Sequence, residues 1–422
     1  NKVLIVAHGH PEMSSGGGET AAYLLFRGLK QAEGVKASFL AWTGHADRER
    51  TGTPFSTLRG RADEILFYGD PLDPLLFSQG SSVVLDGFAN LLQRLDPDVV
   101  HFHHYANVGL ELIAIARRIN PRIRIIVTLH EYLAICHNDG QMLKTVTSML
   151  CHISSPHDCA RCFRDIGAAN FFLRESFIKS HFEKVDLFIS PSEFLRQRYI
   201  VWGLPAWQVI TLDNGTEPVR PAPAPRPLAT GERRGAFGFF GQITPYKGLI
   251  TLLTAFDHLS QFPVEETAGI RLTVHGAYLE LNQPPLVEAV KRLLARTAQR
   301  VHFAGAYPAH DRQRLMAAVD WVVVPSIWWE NSPMVIQEAF ANRRPVICSN
   351  IGGMAEKVRW GKDGFHFPVG NPFELAALIV QVVADPSLWD GLYNTMRQPM
   401  TIGESVARHL ELYRDRSFAV AH

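Results

Sequence analysis

The stretch PSIWWENSPMVIQE, residues 325–338, places two glutamates, Glu330 and Glu338, on either side of seven residues. Just upstream, VDWVVVP (319–325) is a short apolar run that reads as a buried parallel strand. After Asn331 the pattern MVIQEAFA reads as the start of a helix. Glu330 therefore belongs to a strand-to-helix turn, and Glu338 lies about two turns into the helix at ~1.5 Å rise per residue. The turn residues Asn331, Ser332, Pro333 and Met334 are expected to present backbone N–H groups at a helix N-terminus, a natural place for an anionic ligand.

Outward from this stretch the same alternation repeats. Strand-like runs KVLIVAH (2–8), KASFLAW (36–42), DVVHFHH (98–104), RIIVTLH (124–130), VDLFISPS (185–192) and QVITLDNG (208–215) are separated by amphipathic helices such as TAAYLLFRGLKQA (20–32) and VLDGFANLLQRL (84–95). Strands alternating with helices mean parallel βαβ units in a doubly wound α/β sheet. Residues 218–235, rich in Pro and Gly, carry no hydrophobic period and read as a semi-rigid linker. A second alternation runs from 236 to 400, and a final helix occupies 401–422. A chain of 422 residues is too long for one core. The expected organisation is an N-terminal domain over 1–217, with an insertion over 131–184, then the linker, the C-terminal domain and the last helix.

Composition excludes several classes. The net charge is +1, so no global field draws the chain to nucleic acid or acidic membranes. At 46% apolar and 20% charged it is an ordinary globular composition. No apolar run reaches the ~18 residues of a membrane span. Five cysteines, four of them clustered, do not suggest a secreted disulfide framework, and a cytoplasmic enzyme is the default expectation.

The segment 325–338, continued as EAFANRRPVICSNIGGMAEKV, resembles the E-x7-E signature of retaining, nucleotide-sugar-dependent glycosyltransferases of the GT-B type, family 4. Arg343-Arg344 stand where that family usually has a glycine. The resemblance covers nearly the whole chain and is densest from Gly238 to Gly370. It implies two Rossmann-like domains facing a central cleft, with the final helix crossing back onto the first domain. It also implies transfer of a sugar from a UDP- or GDP-sugar to an acceptor hydroxyl of a glycan or lipid-linked glycan, with no catalytic metal.

The resemblance assigns roles residue by residue. Glu338 would hold the donor ribose and Glu330 the donor sugar; carboxylate oxygens accept hydrogen bonds from hydroxyls. Asn331, Ser332, Pro333, Met334 and Val335 would line the sugar and phosphate. Lys247, in FGQITPYKGL, would stabilise the departing diphosphate, since fixed charge aimed at developing charge is usually the largest catalytic contribution. Gln242 replaces the family's usual arginine, so an uncharged amide stands in this part of the phosphate clamp. Gly16, Gly17 and Glu19 match a glycine loop that approaches phosphate closely; it is not the G-x-G-x-x-G dinucleotide fingerprint. His130 matches T-x-H-D, with Glu131 replacing Asp, and would act near the reacting carbon. Paired carboxylates alone would also fit glycoside hydrolysis. A nucleotide-sugar-binding scaffold without catalysis is the rival that Gln242 supports, and an oxidoreductase is the rival that the missing fingerprint opposes.

Some features remain open on the sequence alone. His101, His103 and His104 either line the acceptor pocket or simply pack. NFFLRESFIKSHFEKV (170–185) is amphipathic and either touches a membrane carrying a lipid-linked acceptor or packs on its domain. Cys136, Cys151, Cys159 and Cys162, ending in C-A-R-C, read as a structural zinc site stapling the insertion, against the alternative of buried free thiols.

Overall fold

The computed structural model describes residues 1–14, 16–44, 53–69, 72–221, 223–415 and 417. The chain divides into two compact units, Asn1–Thr216 with Met400–His422, and Glu217–Pro399.

The N-terminal unit begins with β1 (Lys2–Ala7), α1 (Gly17–Gln31) and β2 (Lys36–Trp42). A hairpin follows, β3 (Phe55–Leu58) and β4 (Arg61–Phe67), then α2 (Ser82–Leu95), β5 (Val99–Phe102), α3 (Glu111–Ile119) and β6 (Arg124–Thr128). The insertion carries α4 (Pro156–Cys162) and α5 (Ala168–Phe182); β7 (Leu187–Ser190), α6 (Glu193–Trp202) and β8 (Val209–Thr211) complete the alternation. Among the described residues the sheet order is β3-β4-β2-β1-β5-β6-β7-β8. Every pair is parallel except β3 with β4, so the sheet is mixed rather than wholly parallel. The β3–β4 hairpin has no counterpart in the sequence reading. Its strand β3 is short and half-exposed, so it lacks the apolar run that marks a buried strand.

The C-terminal unit runs β9 (Ala236–Gln242), α7 (Leu249–His258), α8 (Val264–Thr267), β10 (Arg271–Ala277), α9 (Pro284–Arg296) and β11 (Val301–Phe303). It continues with α10 (Arg312–Ala317), β12 (Trp321–Val324), α11 (Met334–Ala341), β13 (Val346–Ser349), α12 (Gly352–Lys357) and β14 (Gly364–Phe367). Two helices, α13 (Pro372–Ala384) and α14 (Pro386–Thr395), close the unit. Its sheet is all parallel, in the order β11-β10-β9-β12-β13-β14. The fully buried Trp321 and Trp389 belong to its core. At ~1.5–3 kcal/mol for each large apolar side chain buried, cores of this kind are the main favourable contribution to folding.

Residues read from the sequence as a semi-rigid linker are fastened to the C-terminal unit. Arg226 makes a two-pronged ion pair with the fully buried Asp320 (3.1 and 2.8 Å) and a third bond to Glu232 (2.8 Å). Breaking a buried pair by removing one partner costs about 3–5 kcal/mol, which is enough to hold this segment in place. Pro and Gly content gave no hint of it, because the anchors are partners distant in sequence: Arg234 also meets Asp320 (3.2 Å), and Arg344 and Tyr393 donate to the Ala224 and Pro223 carbonyls (2.9 and 2.8 Å).

The last helix, α15 (Ile402–Arg414), starts at a capping box formed by Thr401 and Glu404. It packs on α1 within the N-terminal unit, where Val406 and Ile402 press against Gly28. Tyr413 from this helix bonds His101 of β5 at 2.8 Å. Among the described residues no single helix is long and apolar enough to cross a membrane. The pair α13 and α14 passes that test together, but it is bent by 90° and most of its apolar side chains lie in the core, Phe373 being exposed. On α5, Phe171, Ile178 and Phe182 are buried and Phe172 is exposed.

Candidate active site

In an open parallel sheet, ligands bind beyond the carboxyl ends of the strands where the strand order reverses. In the C-terminal unit that reversal falls between β9 and β12, which are neighbours in space though β10 and β11 intervene in sequence. The loop after β9 carries Lys247, and the loop after β12 carries Glu330. The sheet order therefore brings them together: Lys247 Nζ lies 2.5 Å from Glu330 Oε1. The same carboxylate accepts from Ser326 Oγ (2.7 Å) and from the Trp328 indole N–H (3.1 Å). Glu330 is buried, while Lys247 keeps about a third of its side chain exposed.

Two glycines make this geometry possible. Gly248 adopts the left-handed region at φ 71°, and a Cβ there would overlap the Pro325 carbonyl oxygen. Gly353 donates its N–H to the Glu330 carbonyl (2.7 Å), and a Cβ there would overlap the Asn331 carbonyl. The Lys247-Gly248 and G-G-M stretches are thus packed around the Glu330 turn.

Helix α11 starts at Met334, with Pro333 as its N-cap. Pro333 has no N–H, so it shapes the turn and cannot donate as the sequence reading had it. Asn331 is buried, Ser332 Oγ accepts from Gln337 Nε2 (3.2 Å), and Val335 is the second helical residue. Glu338 lies one turn further along and is ion-paired with Arg312 of α10. Burial raises the Glu338 carboxyl above its ordinary value, and Arg312 opposes that shift. Tyr307, whose ring meets Phe240 and His275 edge-on, has its phenol raised by burial and then by Glu338. Gln242 ends β9 on the exposed surface.

In the N-terminal unit the strand order reverses between β1 and β5. The loops there gather imidazoles. His8 Nε2 lies 3.3 Å from Glu19 Oε1, and Glu19 also accepts from Ser14 Oγ (3.2 Å). The Glu19 carboxylate folds back over Gly16, the N-cap of α1, whose first residue is Gly17. His103 Nδ1 is 3.1 Å from His130 Nε2, and His104 Nε2 is 3.3 Å from Glu131 Oε1. His130 itself stands two residues beyond the end of β6. His103 and His104 are buried, whereas His8 and His130 are half-buried. Burial holds these histidines neutral: His101, His103 and His104 fall well below the ordinary imidazole value, and His130 falls to about 3. Burial pushes Glu131 the other way, up to about 8. At neutral pH this is a set of uncharged donors and acceptors.

Two family models match the chain, one described as Glycosyltransferase Family 4 over residues 15–220, the other as Glycosyl transferases group 1 over 234–385. The chain belongs to the family-4, group 1 glycosyltransferases. Among curated relatives, this family member is similar to a lipopolysaccharide 1,2-N-acetylglucosaminetransferase of Salmonella typhimurium, 30% identical over 42% of this chain and 48% of the relative. It is also similar to a glycogen synthase of Pseudomonas syringae, 27% identical over 33% of this chain and 29% of the relative. The chain thus spans less than half the length of the curated relatives it matches. Among solved structures it resembles Anabaena HepE in complex with UDP and glucose (TM-score 0.65, 18% identity, 97% of this chain and 98% of that one). It likewise resembles sucrose-phosphate synthase from Thermosynechococcus elongatus (TM-score 0.68, 18% identity, 98% of each chain). The fold of this family-4 chain is GT-B.

Within this glycosyltransferase-family chain, sequence reasoning missed Arg312, Trp328 and Ser326 as partners of the paired glutamates. Ser326 and Trp328 lie inside the quoted stretch, and their donor groups so close to Glu330 were the available signal. Arg312 is 26 residues from Glu338, and only the fold brings them together. The sequence reading also expected Cys136, Cys151, Cys159 and Cys162 to form a zinc centre. The four do line one cavity, but among the described residues no three Cys, His, Asp or Glu side chains stand together at metal-ligating distance.

Proposed function

We propose that this chain is a retaining glycosyltransferase that moves a hexose or related sugar from a UDP- or GDP-sugar to a hydroxyl of a glycan or lipid-linked glycan. The observation that carries the reading is the pairing of Lys247 with Glu330 beside the strand-order reversal, with Glu338 and Arg312 on the adjoining helices. Glu338 takes the ribose hydroxyls. Glu330 takes the sugar hydroxyls, and Lys247 turns from Glu330 to the diphosphate. The N–H groups at the start of α11 add their dipole to the same charge.

In the reaction the bond between the anomeric carbon and the phosphate oxygen breaks, and its electron pair leaves with the diphosphate. The acceptor oxygen bonds the same face of that carbon, and its proton passes to the departing phosphate oxygen. Lys247 lowers the barrier because its charge matters most as the leaving group gains charge. His130, neutral and half-buried, is assigned to the transferred sugar, and His8 and Glu131 to the polar groups around it. His103 and His104, being buried, hold His130 and Glu131 in place. The reading carries a cytoplasmic location, where the five cysteines stay out of disulfides.

The test is a thermal-shift screen against UDP, GDP, ADP and their sugar conjugates, followed by assay of nucleotide release with glycan acceptors. A ligand at ~100 times its dissociation constant adds ~2.7 kcal/mol. Stabilisation by one nucleotide sugar, with acceptor-dependent release and an unchanged anomeric configuration, is expected. Stabilisation without hydrolysis or transfer would favour the binding-only scaffold that Gln242 suggests. No stabilisation by any of these ligands would overturn the reading.

A further inference from the structure

Within the insertion between β6 and β7, Met142, Leu143 and Phe171 are buried, but the stretch 144–170 between them buries no residue. Its helix α4 buries no side chain, and Val146, Met149 and Ile153 are all exposed. A stretch of this length with no buried side chain needs another source of order, and small modules commonly use disulfides or a metal. The four cysteines here form no disulfide.

The backbone nevertheless arranges them with care. Cys136 lies on a tight turn, its N–H bonded to the Tyr132 carbonyl (2.8 Å) and its carbonyl to the Gly140 N–H (3.1 Å). The N–H groups of Asn138 and Met142 are directed at its sulfur. A short hairpin then runs through 142–151. The Cys151 N–H bonds the Met142 carbonyl (2.7 Å), and Leu143 bridges Leu150 in antiparallel register. Helix α4, capped by Ser155, presents Cys159 and Cys162 three residues apart on one face. A turn, a hairpin and a helix thus bring four cysteines, spread over 27 positions, to the wall of a single cavity of about 30 Å³.

We propose that these four cysteines bind a structural zinc ion as thiolates. The donor set fits: four sulfurs suit a soft, tetrahedral cation, and a closed four-thiolate shell leaves no position for catalysis. Backbone N–H groups aimed at a cysteine sulfur are the outer contacts that favour a metal-bound thiolate. The thiols ring the cavity without converging, and each must turn inward to reach the zinc–sulfur distance of about 2.3 Å. A cysteine side chain has one torsion to change, with three staggered wells, so this closure is a matter of rotamers. The ion would supply the order that the unburied apolar residues of 144–170 do not.

The experiment is elemental analysis of full-length protein purified without a metal-affinity column or added metal. About one zinc per chain is expected. The Cys159→Ser/Cys162→Ser variant should lose it. A mercurial thiol reagent should release zinc from wild-type protein as the cysteines react, a readout that does not depend on any variant folding. Cobalt exchanged into the site should show intense thiolate-to-cobalt charge transfer and the visible bands of tetrahedral coordination. Protein with no zinc and four readily alkylated thiols overturns the proposal. An iron–sulfur chromophore, or disulfides detected by mass, overturns it as well. Because these readouts follow metal and thiols, their failure leaves the glycosyltransfer reading untouched, and failure of the latter leaves this one standing.

Discussion

The reversal point of the N-terminal sheet is lined by imidazoles, that of the C-terminal sheet by ion pairs. The two sheets share one winding rule, yet their polar groups solve burial in opposite ways. His8, His103, His104 and His130 crowd one another and are pushed below the ordinary imidazole value, so they remain neutral. Glu330 and Glu338 are each given a cation instead, Lys247 and Arg312. A buried carboxylate needs such a partner, because an unpaired buried charge costs several kcal/mol. The difference separates two kinds of recognition. On the function proposed above, neutral donors and acceptors suit sugar hydroxyls, whereas paired charges can exchange partners when a charged diphosphate arrives.

The largest expected break in this contrast comes from Lys247→Ala. It should lower turnover on the order of 10²–10³-fold, by comparison with removal of one electrostatic donor in other enzymes. Donor affinity should fall much less, since the charge acts chiefly on the leaving group. Steady-state kinetics with direct donor-binding measurements check this; normal turnover would remove Lys247 from the mechanism. Chelators should leave the chemical step of the wild-type enzyme unchanged.

Next in size is Glu338→Ala. Loss of a charged acceptor should weaken nucleotide binding by about 1.5–3 kcal/mol, measured by titration calorimetry. Arg312→Ala sharpens the point. Without its cation the buried Glu338 carboxyl should rise further, so nucleotide affinity should weaken more steeply as pH falls than it does in the wild type.

The neutral cluster predicts a stronger pH dependence in the N-terminal unit than in the C-terminal one, where burial also lowers His275. His130 falls from 6.5 to about 3, and His409, packed near His101, falls to about 4. Groups lowered in the folded state favour folding above the unfolded value and lose that contribution as pH drops. Stability of this unit should therefore decline from pH 6.5 toward pH 4. Glu131 has the opposite sign: raised from 4.5 to about 8, it favours folding at low pH and loses that contribution between those values. Glu131→Gln should flatten the decline from pH 4.5 to 8 and leave the acid limb in place. Peptide-resolved hydrogen exchange across this range, corrected for intrinsic rates, separates β5 and β6 from β12 and β13. Equal acid loosening in both sheets would contradict the contrast.

The smallest effect is expected of Gln242→Arg. An added guanidinium at the exposed end of β9 should preserve activity or raise it severalfold if the glutamine only weakens a phosphate clamp. A loss of activity would show that the amide has its own task.

Much of the architecture was legible in the chain. Alternating apolar runs and amphipathic helices marked two α/β units, because a parallel strand buried on both faces must be apolar throughout. The E-x7-E spacing and the Lys247-Gly248 and G-G-M stretches were legible for a related reason: each lies within a single strand–loop–helix unit, where local geometry fixes which residues meet. The half-exposed β3 escaped the reading, having no such apolar run.

Sheet order lies beyond sequence spacing. That β12 settles beside β9 decides that Lys247 meets Glu330 across 83 positions. That β5 settles beside β1 decides that His8 and His104, from separate loops, meet with ring centroids 4.2 Å apart. The pairing of Arg312 with Glu338, the anchoring of Arg226 to Asp320 and the common cavity of the four cysteines were decided the same way. The sequence by itself determined the units and the residue types at their loops. Only the tertiary structure decided which loops became neighbours, because strand pairing is set by the burial of whole faces and not by local pattern.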